Sequence, residues 1–88
     1  MLNLQIVTPK GAVVDTEVEK VVLPGKAGEF TVLEEHIALL AAIQPGVLRY
    51  YGAGGSNGTL AVSTGFAEVG SYDKVLVLTD DHAFADDV

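Results

Sequence analysis

The sequence has 88 residues, no cysteine, and twelve acidic against five basic residues, giving a formal charge of −7. That is one small domain whose apolar share of 49% can fill a thin core, with neither disulfides nor thiolate zinc sites to staple it. The cations Lys10, Lys20, Lys26, Arg49 and Lys74 are scattered, which excludes the basic footprint of a nucleic-acid binder and disfavours anionic lipid headgroups.

Met1 to Thr8 lacks a basic region followed by an apolar stretch, so it is not a signal peptide. No apolar run approaches the roughly 20 residues of a spanning helix, and the chain reads as cytoplasmic. Leu2, Leu4 and Ile6 alternate with Asn3, Gln5 and Val7, predicting a strand with one side on the core. After the turn Pro9-Lys10-Gly11, the residues Glu17, Glu19 and Val21 alternate with Val18, Lys20 and Val22. They read as one strand that runs on to Leu23 and stops at Pro24-Gly25.

Glu34 to Ile43 is the ambiguous stretch. Its apolar run from Ile37 to Ala42 suits a helical turn, because Leu and Ala favour helix. It is short and bounded by the turn Gln44-Pro45-Gly46, so an extended segment is the preferred reading. Val47–Tyr51 and Leu60–Ser63 form a hairpin around the glycine-rich Gly52–Gly58, with Asn57-Gly58 as its tight turn. Beyond Gly65 and Gly70-Ser71, the residues Val75, Val77 and Thr79 face opposite Leu76 and Leu78. Apolar on both sides, this strand is expected to be covered on both. Asp80, Asp81, Asp86 and Asp87 mark a solvated, frayed end. Short strands between closely spaced turns predict an all-β sandwich, and no repeat or linker divides it.

Little in the chain points to chemistry. Gly52–Gly58 leads into a strand, not the helix a phosphate-binding loop needs, and no Lys-Ser/Thr pair follows. His36 after Glu34-Glu35 and His82 after Asp80-Asp81 suggest metal triplets, but neighbouring strand residues point to opposite faces and cannot converge on one ion. Ser63 and Thr64 beside Gly65 lack a strand-to-helix elbow. The expectation is no catalytic residue, no metal and no cofactor. Lys20 raises one rival, a lipoyl or biotinyl carrier domain. A carrier lysine sits at an exposed hairpin tip, whereas Lys20 lies within the predicted strand.

Glu19-Lys20-Val21, Gly28-Glu29-Phe30, His36 with Leu39-Leu40, Ile43-Gln44-Pro45-Gly46, Gly65-Phe66-Ala67-Glu68-Val69 and Val75-Leu76-Val77-Leu78-Thr79 occur in this order. Taken together they resemble the N-terminal domain of the epsilon subunit of F-type ATP synthase, over nearly the whole chain. The resemblance implies a flattened sandwich of about ten short, mainly antiparallel strands. It implies a non-catalytic place in the central stalk, against the gamma subunit and the ring of c subunits, on the cytoplasmic side of the membrane. There the domain couples ion flow to ATP synthesis, and it meets the membrane only through the complex. By the same resemblance Gly28, Glu29 and Phe30 face the c ring, and Thr8, His36 and Ala41 look toward gamma. Two departures stand out. Glu34-Glu35-His36-Ile37-Ala38 replaces the family's Pro-Gly-His-Ala-Pro-like stretch. The sequence also stops at Val88, about where the family continues into a C-terminal helical hairpin, so a single domain over 1–88 without that hairpin is expected. An unrelated sandwich that binds some other protein is the remaining alternative.

Overall fold

A computed structural model describes residues 1–55, 57–70 and 72–84 of the chain. Ser56, Ser71 and the final acidic pair Asp86 and Asp87 lie outside the described residues. The elements are β1 (Leu2–Thr8), β2 (Gly11–Val18), β3 (Lys20–Gly25), β4 (Gly28–Leu33), β5 (Leu39–Ile43), β6 (Gly46–Tyr51), β7 (Asn57–Val62), β8 (Gly65–Val69), β9 (Lys74–Thr79) and β10 (His82–Phe84). A short 3₁₀ turn at Ala53–Gly55 joins β6 to β7. Of the ambiguous stretch Glu34 to Ile43 only Leu39–Ile43 is extended, as β5, while its first half is a turn and loop in which Glu35 is left-handed.

The ten strands form one hydrogen-bonded sheet in the order β10-β7-β6-β3-β5-β8-β9-β1-β2, with β4 paired to β3. It curls into two layers, β5-β8-β9-β1-β2 and β10-β7-β6-β3-β4, and a single pair, Gly25 with Ile43, joins β3 to β5. Among the described residues all pairings are antiparallel except β1 with β9. The all-β sandwich expected from the turn spacing is thus the fold, and the ten strands found among the described residues agree with the flattened, roughly ten-stranded sandwich that the resemblance implies.

One alternation builds the core. Leu2, Leu4 and Ile6 of β1 have no exposed surface and meet Val21, Leu23, Leu48 and Leu60 of the other layer in one cluster. Burying a side chain of this size is worth about 1.5–3 kcal/mol, so this inward file is a strong anchor between the layers.

Three local readings need correction. The strand expected from Glu17 through Leu23 breaks at Glu19, where the chain leaves β2 in one layer and enters β3 in the other. The Glu19 N–H donates to the Tyr51 carbonyl at 2.7 Å, which secures the crossing. Asn57-Gly58 is not the hairpin turn, since both residues already pair with Tyr51 and Tyr50 inside β7. Among the described residues of the turn the left-handed one is Gly54, with φ of 68°. Gly58 has a different use: a Cβ there would stand 2.2 Å from the Tyr50 ring, which lies across it. The third correction concerns β9. Its inner residues Val75, Val77 and Thr79 are buried, but Leu78 on the other side is exposed. This strand is covered on one side only.

Candidate functional site

Register places the uncovered side of β9 in a continuous row. Ala42 pairs with Phe66 and Phe66 with Leu78. Leu78 then pairs with Val7, and Val7 with Ala12. Directly paired residues share a face of a sheet, so five strands contribute to one outward apolar stripe. Phe66 is 54% and Leu78 46% exposed. The next outward row, Leu40-Glu68-Leu76-Gln5-Asp15, mixes apolar and polar groups, and Leu40 is 69% exposed. Farther along, Asn3 stands between Lys74 and Glu17. The outer face therefore grades from apolar at one end of the strands to charged at the other. At its apolar end lies an open groove of about 720 Å³, whose rim includes Thr8, Pro9, Lys26, Pro45 and Asp80.

The β3–β4 turn closes one side of this region. Gly25 pairs with Gly28, so the loop is only Lys26 and Ala27. Gly28 takes φ of 133°, a conformation glycine reaches without strain. The tip is stitched to β5 by Lys26 N–H to the Ala42 carbonyl at 2.9 Å and Gln44 N–H to the Pro24 carbonyl at 3.0 Å. A hairpin tip is ordinarily mobile, and these two bonds fix this one.

The residues singled out by resemblance fall into three groups. Gly28, Phe30 and Ala41 gather around one shallow pocket at the stitched turn. Phe30 packs half-buried against the core, while Glu29 is exposed and accepts a hydrogen bond from Arg49 at 3.3 Å. Thr8 is 8% exposed. Its hydroxyl donates to the Gly11 carbonyl at 3.3 Å and accepts the Lys10 N–H at 3.2 Å, closing the β1–β2 turn. His36 sits apart in the loop between β4 and β5, where its Nδ1 donates to the Ile37 carbonyl at 2.7 Å. Reasoning from the sequence missed Phe66, Leu78, Leu40 and Val7. The available signal was the two-sided apolar pattern of β9, which identifies a covered strand but not what covers it.

Other candidate chemistry is not assembled. Among the described residues no three His, Cys, Asp or Glu side chains come close enough to hold a metal ion. His82 instead packs edge-on against Phe84, with ring centroids 5.4 Å apart. Lys20 opens β3, paired with Tyr51, and holds its ammonium 4.5 Å from the centre of the Tyr51 ring.

Residues 1–85 match the family model described as ATP synthase, Delta/Epsilon chain, beta-sandwich domain. The chain belongs to this family. It is 46% identical over 81 residues to the ATP synthase epsilon chain of a Hydrogenobaculum species, a match covering 92% of this chain and 57% of that one. It is also 46% identical over 87 residues to the ATP synthase epsilon chain of Nitratidesulfovibrio vulgaris, covering 99% and 63% respectively. The chain thus spans less than two thirds of the length of these relatives. Among solved structures, a chain of the Euglena gracilis mitochondrial ATP synthase superposes with a TM-score of 0.92 at 23% identity, covering 99% of this chain and 55% of that one. A chain of the Tetrahymena thermophila mitochondrial ATP synthase central stalk and c ring gives 0.80 at 13%, covering 93% and 65%. At such identities the likeness is one of fold. In this delta/epsilon-family sandwich, the outward stripe on β5, β8, β9, β1 and β2 leaves Phe66 and Leu78 exposed.

Proposed function

We propose that this chain is a non-catalytic part of the central stalk of an F-type ATP synthase, docked between the gamma subunit and the c ring. In that place it helps couple ion flow to ATP synthesis, and it carries out no bond-making step itself. The observation that carries the reading is the outward row Ala42-Phe66-Leu78-Val7 in a member of the epsilon family. A contiguous apolar patch rimmed by polar groups marks an interaction surface, and the gamma subunit is the partner assigned to it. Among the described residues no helix is long and apolar enough to cross a membrane. Membrane association, on the cytoplasmic side, is assigned to the complex.

The test is reconstitution. An ATP synthase stripped of its own epsilon chain and resupplied with this one should regain ATP-driven ion pumping in inverted vesicles. Pumping that stays at the stripped level although the chain is bound would overturn the coupling role.

The c-ring contact is assigned to the turn carrying Gly28 and Glu29. Glu29 and Arg49 are both substantially exposed, and such pairs contribute at most about 1 kcal/mol. Glu29→Lys should therefore leave the denaturation midpoint nearly unchanged. It should weaken binding to isolated c rings in a salt-dependent way, because a rim charge acts mainly on association. Equal binding by both forms across salt concentrations would remove Glu29 from the contact.

A further inference from the structure

Among the described residues three without the freedom of glycine adopt positive φ: Glu35 at 62°, Tyr72 at 62° and Asp73 at 57°. Two of them are joined directly. The Asp73 carboxylate accepts the Glu35 N–H at 2.8 Å, across 38 residues of chain. The backbone of Asp73 is itself anchored, because its carbonyl accepts the Asn3 N–H at 2.8 Å where β1 begins to pair with β9. A fixed point on the sheet thus reaches out and holds the loop between β4 and β5.

The rest of that loop is held mostly by its own neighbours. The His36 N–H donates to the Leu33 carbonyl at 3.3 Å, and His36 Nδ1 to the Ile37 carbonyl. Glu34 pairs with the Met1 ammonium, an ion pair open to solvent. The loop presents Ile37, 82% exposed, and leads directly into Leu40 on the outer face. A side chain with a Cβ disfavours the left-handed region, so Glu35 keeps that conformation only if its surroundings require it. The backbone direction at Glu35 in turn sets where Ile37 emerges.

We propose that Asp73 is a positioning residue for docking: its carboxylate holds Glu35 left-handed and thereby aims Ile37, beside the sheet-fixed Leu40, at the partner that covers the outer face. This rests on the docking reading above, with the gamma subunit as that partner. Asp73 itself touches no partner in this scheme. It acts through the loop.

Two variants separate the carboxylate from the backbone. Asp73→Gly keeps the left-handed conformation accessible but removes the acceptor, whereas Asp73→Asn keeps both an acceptor oxygen and tolerance of positive φ. With gamma subunit from the same organism as the probe, Asp73→Gly should weaken binding about tenfold and speed exchange of the Glu35 amide proton. Asp73→Asn should restore both toward the parent value. Equal weakening by the two variants, or faster Glu35 exchange with unchanged affinity, would overturn the proposal while leaving the docking reading in place. Failure of the unaltered chain to bind gamma would instead remove the docking reading, and this proposal with it.

Discussion

Phe66→Glu should weaken assembly with the gamma subunit by about a hundredfold or more, equivalent to roughly 2.7 kcal/mol, and leave the isolated chain folded. Phe66 is 54% exposed before any partner arrives, so the substitution removes no core contact, and surface changes of this kind usually stay within about 0.5 kcal/mol. In the proposed complex the same position lies within the covered apolar row, between Ala42 and Leu78. A carboxylate there must be desolvated without a partner, which costs several kcal/mol or prevents closure. Buried aromatic anchors also carry a large share of interface energy. Val47→Glu is the matching control, because Val47 is 44% exposed but lies on β6, in the other layer. Titration calorimetry should separate the two variants clearly. Equal affinity for both would detach the outer stripe from docking.

Gly65→Ala should cost about 3 kcal/mol or more in urea denaturation, a large part of the 5–15 kcal/mol that holds a typical domain together. A Cβ at Gly65 would lie 1.8 Å from the Leu78 carbonyl oxygen and 3.0 Å from the Thr79 Cα. Those are backbone atoms of the strand to which Gly65 is paired, so no rotamer change relieves the clash. Relief requires β8 and β9 to part, and the strands that carry Phe66 and Leu78 would part with them. Gly70→Ala is the control, since nothing lies within 4 Å of a Cβ there. A loss below about 1 kcal/mol for Gly65→Ala would mean that β8 and β9 are less tightly apposed than described, because small-to-large changes at a close contact ordinarily cost 1–3 kcal/mol.

How much of this was legible depended on whether the cause was local. Leu2, Leu4 and Ile6 were readable as an inward file because one-sided alternation is a property of the strand itself. The break at Glu19 was not readable. The alternation of Glu17, Glu19 and Val21 with Val18, Lys20 and Val22 runs straight across it, and the chain changes layers there without a glycine or proline to mark the place. Asn57-Gly58 misled because a glycine has two physical uses. Gly54 supplies the positive φ of the turn, while Gly58 makes room for the Tyr50 ring. Glu35 takes a positive φ that nothing at its own position announces, and what holds it in place is an aspartate 38 residues away. No local pattern carries that information.

The outer stripe was hidden for a related reason. Leu76 and Leu78 announce a strand apolar on both sides, and the natural inference is a second layer of the same chain. The sandwich supplies only the inner layer, through Val75 and Val77. The cover for the other side is assigned to another subunit. The resemblance pointed to single residues, of which Thr8 is spent on its own turn and Phe30 on the core. The row that register assembles from β5, β8, β9 and β1 is spread from Val7 to Leu78 in the sequence.

Oxidative side-chain footprinting of the chain, free and in complex with the gamma subunit, addresses the docking face most directly. Phe66, Leu78 and Leu40 should react readily in the free chain and become protected in the complex. Val47, exposed on the opposite layer, should react equally in both. Protection of Val47 with Phe66 and Leu78 still reactive in a stoichiometric complex would contradict the assignment of the outer stripe as the docking face.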